Sequence, residues 1–144
     1  MSLSIFPDLN VWLALSVPVH ERHRAAWSWY RSLRADDRLF FCRFTQMGLL
    51  RLLSQEAVMG AGEALNQPDA WKVYDRWLTD FCISFYPEPE TLEPCFRQQA
   101  RSSKPAPKSW GDDYLCAFSQ AAGLQLATMD RPLSRRAVAA ILIV

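Results

Sequence analysis

The chain has 144 residues, half of them hydrophobic, with six Trp, eight Phe and a formal net charge of +1 at pH 7. It is the size of one domain, long enough to bury a sizeable core and too apolar to remain disordered. The near-zero charge argues neither for nor against a nucleic-acid partner, because basic residues that offset a cluster of acids vanish in the total.

Residues 3–8 read as a short buried strand, with Pro7 removing one ladder donor near its end. Residues 10–15 open a first helix, and 20–33 form a second with Ala26, Tyr30 and Leu33 along an apolar stripe. A strand at 38–41 precedes a Leu-dense helix at 45–53. The stretch 55–67, with Gly60 and Gly62, reads as an irregular or short-helical connection. Pro68 suits the first turn of a helix reaching about Thr79, with Trp71, Tyr74 and Trp77 at helical spacing.

A strand at 81–85 and a helix at 91–100 follow, and SSKPAPKS over 102–109 is the clearest loop. Residues 111–122 form the next helix, which Gly123 ends in a left-handed cap. A strand at 125–128, a turn or short helix at 131–136 and a β-branched strand at 139–144 complete the chain. Alternating helices and short apolar strands predict one α/β domain over residues 1–144, a central parallel sheet with helices on both faces in three layers.

No apolar run approaches the ~18 residues of a membrane span, and MSLSIFPDLN lacks the basic and long apolar regions of a secretory leader. Cys42, Cys82, Cys95 and Cys116 show no C-x-x-C pairing, so they read as small buried residues rather than as disulfide or zinc partners. A reducing cytoplasm is the expected compartment.

Three aspartates fall where a strand gives way to the next element: Asp8 in IFPDLN, Asp112 in WGDDYL and Asp130 in ATMDRP. The carboxyl ends of parallel strands form the ligand crevice of open α/β sheets. Carboxylates gathered there repel unless a cation lies between them, and a hard ion such as Mg²⁺, or Mn²⁺, suits all-oxygen donors. Each aspartate also has a structural reading, Asp8 as a helix cap and Asp130 as a turn residue. Asp112, Leu115, Phe118 and Ala122 share one helical stripe, which places Asp112 inward and Asp113 toward solvent. Asn10 stands ready to orient Asp8 or cap the helix, and Thr128 to donate to an aspartate. His20 and His23 in HERH share a helix face without a third ligand.

Four segments together resemble the PIN-domain ribonucleases, and more narrowly the VapC toxins of toxin–antitoxin pairs. They are DLNVWLA from Asp8, FTQMGLLRLL from Phe44, Trp110 with DDYLCA from Asp112, and LATMDR from Leu126. The resemblance implies a PIN-like fold and an Mg²⁺-dependent endoribonuclease. Asp8, Asp112 and Asp130 would be both its catalytic residues and its metal ligands. It further implies an RNA substrate and a VapB-like antitoxin. The family carries a further Glu on the helix at 45–53. Here Gln46 is the nearest polar residue there, and Glu56 the nearest acid beyond it, which puts a second ion in doubt.

Arg131 and Lys108 flank the proposed crevice and are the expected phosphate contacts. One of the six tryptophans is expected to stack on a base, with nothing in the sequence to say which. The helices around Trp12, Trp27 and Trp29 suggest a symmetric homodimer. Two other readings compete: a PIN-like RNA-binding module with weak or no cleavage, and a PIN nuclease outside any toxin–antitoxin pair. A phosphate-receiver domain fits poorly, since paired acids after the first strand and a Lys after the last are both missing.

Overall fold

The computed structural model describes residues 1–144. In chain order the elements are β1 (Ser4–Pro7), α1 (Leu9–Ser16), α2 (His23–Ser32), β2 (Arg38–Phe41), α3 (Arg43–Leu53), α4 (Glu56–Met59), α5 (Gln67–Leu78), β3 (Ile83–Phe85), α6 (Leu92–Gln99), α7 (Trp110–Ala122), β4 (Gln125–Thr128), α8 (Arg131–Arg136) and β5 (Ala140–Leu142). The five strands form one sheet in the order β3-β2-β1-β4-β5, and every neighbouring pair is parallel.

The chain steps outward from β1 through β2 to β3, then returns to lay β4 and β5 on the other side. That reversal makes the gap between β1 and β4 the topological switch point, where the loops after two neighbouring strands diverge and leave a crevice. Asp8 follows β1 and Asp130 lies two residues beyond β4, so both stand at its mouth.

Successive strand residues point to opposite faces. Ile5, Leu39 and Phe41 join Val11, Trp12, Leu49 and Tyr74 in the larger core cluster, under α1, α3 and α5. Phe6 and Leu126 join Leu115, Phe118 and Leu133 in the second cluster, under α7 and α8. Pro7 is tolerated in this central strand because of register. Asp8 N–H bonds to Ala127 of β4, so by alternation the donor missing from Pro7 lies on the β2 side. There the pairing has already ended at Ile5–Leu39.

Most expected elements lie within two residues of their observed bounds, and Gly123 takes the left-handed conformation with φ 69°. Three differences have local causes. The second helix begins at His23 rather than His20, because Arg22 N–H bonds back to His20 Nδ1 at 3.0 Å and winds residues 20–22 into a turn. His20 and His23 therefore do not share a helix face. The third helix begins early, at Arg43, with Cys42 N–H donating to Thr45 Oγ1 at 3.0 Å. The strand expected from Phe81 begins only at Ile83, since Asp80 accepts from Cys82 N–H at 2.9 Å and turns the chain there. The four cysteines are unpaired, with Cys42 and Cys116 buried.

Candidate functional site

Asp8 caps α1 from an extended backbone, and Oδ1 accepts from Val11 N–H at 3.0 Å. Its other oxygen, Oδ2, accepts from Thr128 Oγ1 at 2.5 Å, across the β1–β4 gap. Thr128 Oγ1 in turn accepts from Asp130 N–H at 3.0 Å. One buried hydroxyl thus ties the first aspartate to the backbone of the third. Asp130 caps α8, accepting from Leu133 N–H at 3.1 Å, and its exposed carboxylate borders the crevice.

Asp112 lies on the first turn of α7, half-buried. Neighbouring aspartate charge acts on Asp8 and on Asp112. Asp8 is pushed up to about 6, first by burial and then, against its hydrogen bonds, by the charge of Asp112. Asp112 is pushed up by burial and next by Asp130, with Arg136 opposing. Gathered carboxylates that favour the protonated form mark a place short of positive charge.

As donors these groups fit a hard cation, all being oxygen. As they stand, no three His, Cys, Asp or Glu side chains are grouped so as to hold a metal ion together. A cation shared by Asp8, Asp112 and Asp130 therefore requires Asp112 and Asp130 to swing inward. Asp112 makes no side-chain hydrogen bond, and Asp130 is exposed but held at one oxygen by its cap to Leu133 N–H, whereas Asp8 is held at both oxygens.

Asp113 departs from expectation. It does not face solvent; it is 5% exposed, accepts from Ser109 Oγ at 3.2 Å and pairs with Arg136 of α8. The pair fastens the head of α7 to α8, the helix that begins beside Asp130. It explains why α7 carries two adjacent acids: Asp113 is a helix clamp and Asp112 the carboxylate left over.

Gln46 also departs from its expected place. It is buried, accepts from Arg43 Nη1 at 2.5 Å and lies near the Tyr74 hydroxyl, toward α5. The residue of α3 that meets the head of α1 is Gly48, where a Cβ would lie 2.7 Å from Leu9 Cδ2. Hence α3 sends no acid toward Asp8, and Glu56 opens α4 beyond the far end of α3.

Asn10 is exposed and shares the crevice with Asp8, His20, Arg22, Met129 and Asp130. His20 and Arg22 reach it through the turn before α2, a placement that HERH alone did not reveal. Their signal was Pro18, which stops α1 from running on into α2. Arg131 is exposed on the first turn of α8, and Lys108 is exposed in the loop before α7, outside the crevice wall.

No family model matches the chain. It is 41% identical over 126 residues to Ribonuclease VapC41 of Mycobacterium tuberculosis, a match covering 85% of this chain and 86% of that protein. Among solved structures, Mycobacterium tuberculosis VapC20, a Sarcin-Ricin loop cleaving toxin, superposes with a TM-score of 0.67 at 16% identity, covering 91% of this chain and 93% of that one. VapBC-1 of nontypeable Haemophilus influenzae gives 0.64 at 15% identity, covering 93% and 92%. VapBC2 of Rickettsia felis, bound to a promoter DNA fragment, gives 0.67 at 8% identity, covering 99% and 100%.

The raised Asp8 carboxyl predicts how stability varies with pH. The folded state holds that proton more tightly than the unfolded chain, whose carboxyl titrates near 3.8. The stability conferred by the neutral form is present below pH ~4 and is lost as pH rises through about 6. In buffer containing chelator, this one group should lower the unfolding free energy by up to about 3 kcal/mol across that window. Urea melts between pH 4 and 7.5 should show the decline, and Asp8→Asn should flatten it.

Proposed function

The chain belongs to the VapC family of ribonucleases, and on that premise we propose that it is a divalent-metal-dependent endoribonuclease. We propose further that it acts as a toxin silenced by a VapB-like antitoxin. The observation that supports this reading is that Asp8 and Asp130 line one crevice at the β1–β4 switch point, with Asp112 of α7 near enough for its charge to raise Asp8. The all-oxygen donor set favours Mg²⁺ or Mn²⁺. With α3 lacking an acid at its near face, a single ion is the expected complement.

When bound, the cation supplies the positive charge that phosphodiester hydrolysis requires. The protein's own side chains do the positioning. Asp8 is held at both oxygens, by Val11 N–H and the Thr128 hydroxyl, so it offers fixed remaining lone pairs. Thr128 also holds the backbone of Asp130, setting the distance between the two strand ends. The Asp113–Arg136 pair anchors the helix that presents Asp112. His20 and Arg22 border the crevice with donors suited to phosphate oxygens, and Arg131 stands next to Asp130. Asn10 lines the same crevice and is placed to orient Asp8 or an incoming phosphate.

A non-cleaving PIN-like module is the competing reading, favoured by Gly48 standing at the face of α3 that meets α1. Thermal melts across an Mn²⁺ or Mg²⁺ titration, beside an RNA cleavage assay, separate the two. The nuclease reading predicts stabilisation that grows with the logarithm of free metal, and cleavage that EDTA stops. It also predicts that Asp112→Asn folds yet loses most of both effects. A folded Asp112→Asn that cuts RNA at the original rate would remove Asp112 from the site.

No helix is long and apolar enough to cross a membrane, and we place the protein in the cytoplasm with its RNA and antitoxin. Of the tryptophans expected at a homodimer face, Trp12 is fully buried and stacks on Phe41 at 3.8 Å, whereas Trp27 is 38% exposed. A groove of about 550 Å³ between α3 and α5, with Met47 56% and Trp71 44% exposed, offers a second surface, and we propose the dimer there. Sedimentation at tens of micromolar should show a dimer, which Met47→Glu converts to monomer. Co-expressed antitoxin should bind the chain and relieve growth arrest.

A further inference from the structure

The six tryptophans differ in setting. Trp12 is buried, and Trp29 and Trp77 are half-buried. Trp27 packs among His23, Tyr30 and Trp77, and Trp71 belongs to the α3–α5 groove. Trp110 alone is mostly exposed, at 60%. Its one aromatic neighbour is Phe96, whose ring meets it edge-on at 6.1 Å and 81°. That contact steadies the indole while leaving much of its surface to solvent.

Trp110 forms the common wall of two recesses. One is shared with Ser102, Lys104, Pro105 and Ser109 of the loop before α7, and the other with Phe96 of α6, Ala100 just after that helix lining both. Around it Arg101, Lys104 and Lys108 are exposed, and none has a carboxylate partner. Of the acids nearby, Glu93 pairs with Arg97 and Asp113 with Arg136, whereas Glu88 accepts from the Tyr114 hydroxyl and Asp112 has no ion-pair partner. On the loop side of the indole the unpaired charges are those of Arg101, Lys104 and Lys108, beside a flat, half-fixed aromatic.

We propose that Trp110 is a stacking platform for one base of single-stranded RNA, with the adjoining phosphates along Lys104 and Lys108. The inference rests on the ribonuclease reading and adds to it a substrate subsite. Single-stranded nucleic acid is held in this way because every base has a π-face and every linkage a negative charge. Trp110 precedes Asp112 by two residues on α7, so their side chains project about 200° apart around the helix. The platform therefore lies round the helix from the aspartates and holds a base away from the cleaved linkage, so its loss should act on KM more than on kcat.

The test uses the full chain and a fluorescein-labelled single-stranded RNA of mixed sequence, in EDTA so that nothing is cut. Trp110→Leu keeps an apolar side chain beside Phe96 but removes the stacking face. It should weaken binding roughly 5- to 100-fold, while Trp110→Phe stays within a few-fold of the parent. The paired change Lys104→Ala and Lys108→Ala should reduce the salt dependence of binding, and Trp110→Leu should not. With Mg²⁺ present, Trp110→Leu should raise KM and leave kcat within a few-fold. Unchanged RNA affinity in Trp110→Leu, with the parent cutting RNA, overturns the platform and leaves the ribonuclease reading standing. A Trp110→Leu protein that loses antitoxin binding alone overturns the platform in the same way. A parent protein that neither binds nor cuts RNA brings down both.

Discussion

The hydrogen bond from Thr128 Oγ1 to Asp8 Oδ2 is the constraint on which the rest of the site depends. It crosses between the two central strands at the point where their connections part in opposite directions. The last ladder bond here runs from Asp8 N–H to Ala127, and beyond it the backbones part. The threonine hydroxyl supplies a further tie, donating to one aspartate and accepting from the backbone of another. Asp8 is thereby buried at 3% exposure with a carboxyl held at both oxygens. A buried carboxylate without a cation costs stability, and that cost is tolerated where the group serves binding.

The same tension is resolved differently at α7. Two adjacent acids open that helix, where negative charge is favoured by the dipole. Asp113 is neutralised by Arg136 and serves as a clamp between helices, so its charge is satisfied within the fold. Asp112 has no such partner and is raised by burial and by Asp130. The division separates a structural carboxylate from one left available to a ligand. It also keeps Asp112 and Asp130 on helices that the Asp113–Arg136 pair fastens to each other.

Much of this was legible in the sequence, for identifiable reasons. The strands at Arg38–Phe41 and Gln125–Thr128 are short apolar runs bounded by turn residues, and they fall on the expected positions. Asp8 and Asp130 stood out by falling together with Asp112 at expected strand ends, although each alone also reads as a cap or turn residue, and both do cap helices. What escaped was tertiary. Helical spacing turned Asp113 outward, but Arg136, 23 residues away, holds it inward. Gln46 lies on the expected helix, yet Arg43 and Tyr74 turn it from the aspartates. His20 entered the crevice through a turn built from a side-chain-to-backbone bond, which leaves no periodic trace.

On this reading one divalent ion is held jointly by Asp8, Asp112 and Asp130. Crystals grown with Mn²⁺ and measured for anomalous scattering test that most directly. One strong peak is expected in the β1–β4 crevice, about 2.1–2.4 Å from a carboxylate oxygen of each aspartate, with the Thr128–Asp8 bond retained. A peak elsewhere, or none from protein that cuts RNA in the same buffer, would contradict it.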